Sequence, residues 1–225
     1  MSLKTAGRVI AIIMIAQAGI TPVVNFVLIR PVMSAPGFLT NAATHAAQMR
    51  LAAMLWFLSG ALAIGIAAVA ASVVRKYSDA MATWIVALTI VGVITTIAEA
   101  VSFLTMLSVS QQSAQRASLD IYQALAQLLA SARGWIHYTN LLLGAATVAA
   151  LNIALFRFAL VPRALSALGV LTATLGAIGM IRPMIGHSLI LPLLTPLGLA
   201  QLALLLWLLV KGFVEKPVVI PSGAP

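Results

Sequence analysis

Apolar residues in this chain do not alternate with polar ones; they run. Six nearly uninterrupted stretches, at about Val9–Ile29, Leu51–Val74, Met81–Leu107, Ile136–Phe156, Ala164–Ile181 and Leu189–Val210, approach the roughly 20 residues a helix needs to cross bilayer hydrocarbon. Hydrocarbon offers no partner to a free N–H or C=O, so each stretch must be helical. The pattern predicts an all-α fold, a polytopic membrane helix bundle of six transmembrane helices. The third stretch exceeds the minimum and can tilt or protrude; the fifth lies near the short limit.

The loops between these stretches are unequal. With the N-terminus inside, two outer loops are long. The first, Arg30–Arg50, contains Pro31, Pro36 and Gly37, followed by a Thr40/Asn41 helix-cap signal before Ala-rich sequence. The second, Ser108–Trp135, is polar at Ser110–Gln115 and then amphipathic, with Tyr122, Leu125, Leu129 and Ala132 on one face. That segment predicts a helix over Leu119–Ala132 lying on the outer membrane surface or capping the bundle. A straight helix from Leu119 to Phe156 would measure about 57 Å at 1.5 Å per residue, so a bend is expected at Gly134. Residues 1–215 read as a single transmembrane bundle and residues 216–225, with Pro217, Pro221, Gly223 and Pro225, as a flexible cytoplasmic tail.

Composition sharpens this picture. The chain is 62% hydrophobic and only 8% charged, against about 45–50% and 25% in soluble domains, so lipid must solvate much of its surface. The formal charge of +9 does not point to nucleic acid, because the basic residues sit singly or in pairs between apolar runs. They act instead as topology signals. Lys4, Arg8, Arg75, Lys76, Arg157, Arg163, Lys211 and Lys216 fall in short segments on one side. Arg30, Arg50, Arg116, Arg133 and Arg182 fall on the other, mostly in longer loops. Basic density therefore places both termini in the cytoplasm. Trp84 and Trp207 near inner ends, and Trp56 and Trp135 near outer ends, agree with interfacial belts. The first stretch is longer than the 7–15 residues of a signal-peptide core, and Pro36 would adjoin a cut after Ala35, so it reads as an uncleaved helix. The absence of cysteine excludes disulfides, thiolate metal sites and cysteine nucleophiles.

The candidate chemistry is sparse. Glu99 is the lone acid inside a span, where a charge costs at least ~2.5–3.5 kcal/mol on insertion scales. Gly92, Thr95, Thr96 and Ser102 lie on or near its face, which then closes on Met106. The carboxylate reads either as a ligand-, proton- or cation-binding group or as packing glue, protonated or paired with an arginine such as Arg182. Gln17, Thr21 and Asn25 make a second stripe in the first helix, where Pro22 leaves the Ala18 carbonyl without its usual partner. His137, Asn140, Gly144 and Thr147 make a third in the fourth helix. His45, Arg182 and His187 fall in outer loops or at their edges. Helices one, three and four are expected to meet so that Glu99 faces Asn25 or Gln17 and the His137/Asn140 side. The ligand-binding candidates are therefore Glu99, His137, Asn140, Asn25, Gln17, Arg182 and His187. No His-Glu-x-x-His spacing, Gly-x-Ser-x-Gly elbow, Walker loop or dinucleotide fingerprint occurs, so no catalytic or metal-ligating residue is assigned and no cofactor is named.

Several short motifs add a family resemblance: Arg30-Pro31 opening the long first loop, Ala98-Glu99-Ala100, Val161-Pro162-Arg163-Ala164-Leu165, Leu168-Gly169-Val170-Leu171, and the ending Leu208-Leu209-Val210-Lys211-Gly212. With the six-span layout, the chain resembles the bacterial family known as domain of unknown function 4386 over nearly its whole length. The resemblance implies a multi-pass protein of the bacterial cytoplasmic (inner) membrane and brings no activity with it. The preferred reading is a non-enzymatic membrane protein that binds a small or lipidic ligand in an outward-facing polar cavity, or that serves as an accessory subunit beside a membrane-protein partner. The alternatives are a small proton- or cation-coupled transporter using Glu99, and a lipid-modifying enzyme with a His/Glu centre.

Overall fold

A computed structural model describes residues 1–115 and 119–214, and every regular element among them is helical. The expected tail at residues 216–225 and the loop residue Arg116 lie outside the described residues. Helix α1 (Leu3–Pro22) starts at Ser2, whose hydroxyl accepts the Thr5 N–H at 3.1 Å. Pro22 cannot return an N–H to the preceding turn, and the helix widens directly after it into a π-helical stretch, Val23–Ile29. It then tightens into α2 (Arg30–Met33), so Leu3–Met33 forms one helical rod of 31 residues.

The first loop folds rather than trails. Gly37, at φ 117°, makes the turn into α3 (Phe38–Thr44), a conformation that glycine adopts without steric cost. Thr40 and Asn41 are therefore inside α3 and do not cap it. The Asn41 amide points back and donates to the carbonyls of Ser34 at 2.9 Å, Pro31 at 3.3 Å and Val32 at 3.4 Å, satisfying groups left open at the end of α2. The Ser110 hydroxyl then pins α3 to the next-but-one helix, donating to Leu39 O at 2.8 Å and accepting the Ala43 N–H at 2.9 Å.

The remaining helices are α4 (Ala46–Val74), α5 (Asp79–Ser113), α6 (Leu119–Arg157), α7 (Arg163–Met184) and α8 (Thr195–Val210). The rod Leu3–Met33, α4, α5, most of α6 and α7 are long and apolar enough to cross a membrane. Large apolar side chains such as Phe26, Met54, Ile94, Leu171 and Leu206 are exposed on their outer surfaces, as lipid contact requires. The sixth apolar run is helical only from Thr195, not from Leu189. Pro196 falls in the first turn of α8, where its missing N–H costs nothing. The resulting 16 residues span about 24 Å at 1.5 Å per residue, and a short 3-10 turn, Leu191–Leu193, leads into them.

Helix α6 takes up much of the second loop. It runs as one continuous helix of 39 residues through Gly134. A Cβ at Gly134 would meet nothing within 4 Å. The segment Leu119–Ala132 is helical, but as the extension of α6, and its packed face is shifted by one residue. Tyr122 is buried, and Ala126 and Leu129 pack on the core, whereas Leu125 and Ala132 are exposed. Tyr122, Ala126, Leu129, Arg133, His137, Asn140, Gly144 and Thr147 recur every three or four residues and so share one seam.

Two apolar clusters close the ends. Val24, Val32, Phe38, Ala42, Met49, Phe103 and Met106 fill the end where α3 sits. Ala6, Ile10, Val73, Leu160, Leu208 and Phe213 fill the opposite end. There a Cβ on Gly7 would lie 2.7 Å from Phe213 N and 2.8 Å from Gly212 Cα, and Val214 N–H donates to Leu160 O at 2.8 Å. The first turns of α1 are thus in direct contact with the chain that leaves α8.

Candidate functional site

The polar seams of α5 and α6 face each other. On α5, Thr89, Gly92, Thr96, Glu99, Phe103 and Met106 recur at three- and four-residue steps, so one turn of the helix after another looks at α6. Glu99 is fully buried. Its Oε1 lies 2.8 Å from His137 Nδ1 and 3.7 Å from a terminal guanidinium nitrogen of Arg133, and its Oε2 accepts from Asn140 Nδ2 at 3.2 Å. All three partners come from α6, at the i, i+4 and i+7 positions of one face. A carboxylate without such partners would face a desolvation cost of several kcal/mol.

The network has a direction. An ionised carboxylate only accepts, so Asn140 gives it an amide N–H and turns Oδ1 towards the Thr95 and Thr96 hydroxyls, at 3.0 and 3.2 Å. Each threonine hydroxyl has one proton to share between Asn140 Oδ1 and the Gly92 carbonyl, at 2.8 Å for Thr95 and 3.0 Å for Thr96. On the other side, His137 places Nδ1 2.8 Å from Glu99 Oε1, a donor to the ionised carboxylate in the tautomer that carries its proton there. Arg133 stacks its guanidinium 4.7 Å from the centre of the Phe103 ring, and its Nε has no hydrogen-bond partner among the described residues.

Next to this network lies a cavity of about 400 Å³, within the size range of small-molecule sites. His137, Asn140 and Thr147 of α6 and Gly92 and Thr96 of α5 form one wall. Gln17, Thr21 and Asn25 of the first helical rod face them, with Trp56 and Ser59 of α4 and Gln201 of α8 between. Met14, Ala63, Ile66, Leu141 and Val148 make the rest of the lining apolar. Two buried donors in this wall, Trp56 Nε1 and Gln201 Nε2, have no partner among the described residues, and buried polar groups are rarely left so.

The sequence-derived candidates thus separate. Glu99, His137 and Asn140 come together directly. Gln17 and Asn25 reach the same cavity from its far wall but do not touch Glu99: Gln17 donates to Ser59 O at 3.1 Å, and Asn25 to its own helix at Thr21 O, 3.0 Å. Arg182 and His187 join neither the cavity lining nor the Glu99 network. His187 is exposed, and its backbone N–H closes α7 on Arg182 O at 3.0 Å around Gly186, at φ 85°. Arg182 Nε donates to Ser188 O at 3.4 Å. The cation beside Glu99 is Arg133, not Arg182. Arg133 reads as a loop charge if α6 begins after Gly134; its place four residues before His137 becomes meaningful once the helix is continuous. His45 also stays in its loop, with Nδ1 2.9 Å from Asn41 O.

Long apolar helices with lipid-facing side chains around a buried polar seam fit a multi-pass α-helical membrane protein. Residues 5–212 match the family model described as domain of unknown function 4386, and the chain belongs to that family. No curated protein and no solved structure matches the chain.

Proposed function

We propose that this is a membrane-embedded binding protein that takes a small amphiphilic ligand into the cavity between the first helical rod, α4, α5, α6 and α8. The observation that carries the reading is the cavity wall itself. His137 and Asn140 present polar atoms there while Glu99, buried behind them, fixes their orientation. Such preorganisation lowers the cost of ordering a site on binding. The mainly apolar remainder of the lining accommodates hydrocarbon, and the unpartnered Trp56 and Gln201 donors offer further anchoring points.

In this reading α8 completes a sixth crossing, and both termini lie in the cytoplasm of a bacterium, with the α3 end of the bundle facing outward across the inner membrane. The contact between Gly7 and the Gly212–Phe213 segment supports a common side for the two ends, and basic density supports the cytoplasm. Gly92 and Gly144 supply the test, because each lines the cavity and a Cβ on either meets nothing within 4 Å. Gly144→Leu should fold and fill the cavity, and the purified protein should lose the molecules that the unaltered chain carries through purification, read by mass spectrometry of its lipid extract. An extract identical to that of the unaltered protein would reject the reading.

A proton-coupled carrier is the second reading. It is favoured by the 2.8 Å contact between Glu99 and His137, a pair able to pass one proton. Proton flux into vesicles that persists undiminished in Glu99→Gln would exclude it.

A further inference from the structure

The π-helical stretch after Pro22 shapes a second feature. Asn25, Phe26 and Ile29 from that stretch, with Arg30, Met33 and Ser34 beyond it, line an open recess whose opposite side is Arg133. π-Helical segments recur at functional sites because they turn side chains away from the regular helical register. Two arginines share this recess. Arg30 is exposed and makes no ion pair among the described residues. Arg133 is held by Glu99 at 3.7 Å, beyond hydrogen-bond length, and its buried Nε is unpartnered among the described residues. One carboxylate, already contacted by His137 and Asn140, therefore stands against two guanidinium groups. The Ser34 hydroxyl spends its proton on Pro31 O at 2.8 Å, so the strong donors to an incoming group are the arginines. Guanidinium forks match the paired oxygens of carboxylates and phosphates.

Asn25 borders both the recess and the cavity. Its second amide N–H remains after the bond to Thr21 O. We infer that the ligand is an amphiphile with an anionic head, the head seated between Arg30 and Arg133 and the hydrocarbon chain passing Asn25 into the cavity. This rests on the cavity being a ligand site. Phe26, Ile29 and Met33 give the recess an apolar rim where head and chain join. The shared chemistry is a carboxylate or phosphate oxygen on an acyl lipid, which either a free fatty acid or an anionic phospholipid supplies.

The test uses the full chain in nanodiscs of phosphatidylcholine, with native mass spectrometry reading the fraction bound. Oleate and the neutral monoolein are the added probes, and a second set of discs contains phosphatidylglycerol. Oleate should bind about tenfold more tightly than monoolein, the scale of one charge-assisted contact. Arg30→Gln, at an exposed position, should remove that preference. Arg133→Lys, which keeps the charge beside Glu99 and loses the fork, should weaken oleate in the same direction. Retention of phosphatidylglycerol without oleate, abolished by Arg30→Gln, supports the same head-group site with the bilayer as its source. Equal binding of oleate and monoolein, both abolished by Gly144→Leu, would overturn the anionic head and leave the cavity standing. Binding of none of the three lipids would remove the cavity reading itself, and the head-group site with it.

Discussion

Arg133 and Glu99 should be energetically coupled, and the coupling can be sized from their surroundings. Arg133→Met leaves a fully buried carboxylate without its cation. Breaking a buried pair costs about 3–5 kcal/mol. Here His137 and Asn140 still donate to Glu99, and the 3.7 Å contact is longer than a hydrogen bond, so about 2–4 kcal/mol is expected. Glu99→Gln removes the charge but keeps the shape; Arg133, whose side chain is 18% exposed at the recess, can still find water, so about 1–2 kcal/mol is expected. The double variant removes both charges and should cost little more than Glu99→Gln alone, a coupling of about 2 kcal/mol or more. Unfolding of the four proteins in one detergent measures the cycle. Additivity to within about 0.5 kcal/mol would refute the pairing. The parallel cycle with Arg182→Met should be additive, because among the described residues Arg182 donates to Ser188 O and takes no part in the Glu99 network.

Other consequences are simpler to check. Gly134→Ala should stabilise the protein by about 1 kcal/mol, since α6 is unbroken there and the added methyl meets nothing; a loss of stability would reinstate a bend. Gly169→Ala should destabilise by about 1–3 kcal/mol, because its Cβ would collide with the buried Asn152 side chain across the α6–α7 contact; an unchanged midpoint would contradict that approach. Ser110→Ala should free α3 at a cost of about 1–3 kcal/mol by unpairing Leu39 O and Ala43 N–H, seen as faster proteolysis in the Phe38–Thr44 region. A reporter fused after Gly212 should be active only in the cytoplasm and one inserted near Gln112 only outside; the reverse pattern would invert the proposed orientation.

Much of the helical layout is legible in the sequence because apolar runs leave the backbone no alternative in lipid. Glu99 stands out for the same reason, as does its attraction to the His137/Asn140 stripe. Boundaries set by polar chemistry are less visible. Thr40-Asn41 has the composition of a cap, yet Asn41 spends its amide on carbonyls seven to ten residues earlier in the chain, and Gly37 starts the helix. Gly134 has the composition of a hinge, but the cost of one glycine, about 1 kcal/mol, is small beside the packing of Tyr122, Ala126 and Leu129 against the bundle. Placing the break there rotates the apolar face by one residue and hides Arg133 from His137. The effect of Pro22 is foreseeable as a lost hydrogen bond; that the chain answers with seven π-helical residues, and so opens a recess, depends on α2 and α3 packing beyond it.

The central claim is that a molecule occupies the space between His137/Asn140 and Gln17/Asn25. The most direct measurement is an experimental density map of the protein purified into lipid nanodiscs without added ligand. The account predicts an elongated feature in that cavity. A map in which the first helical rod closes onto α5 and α6 and side chains fill the space would contradict it.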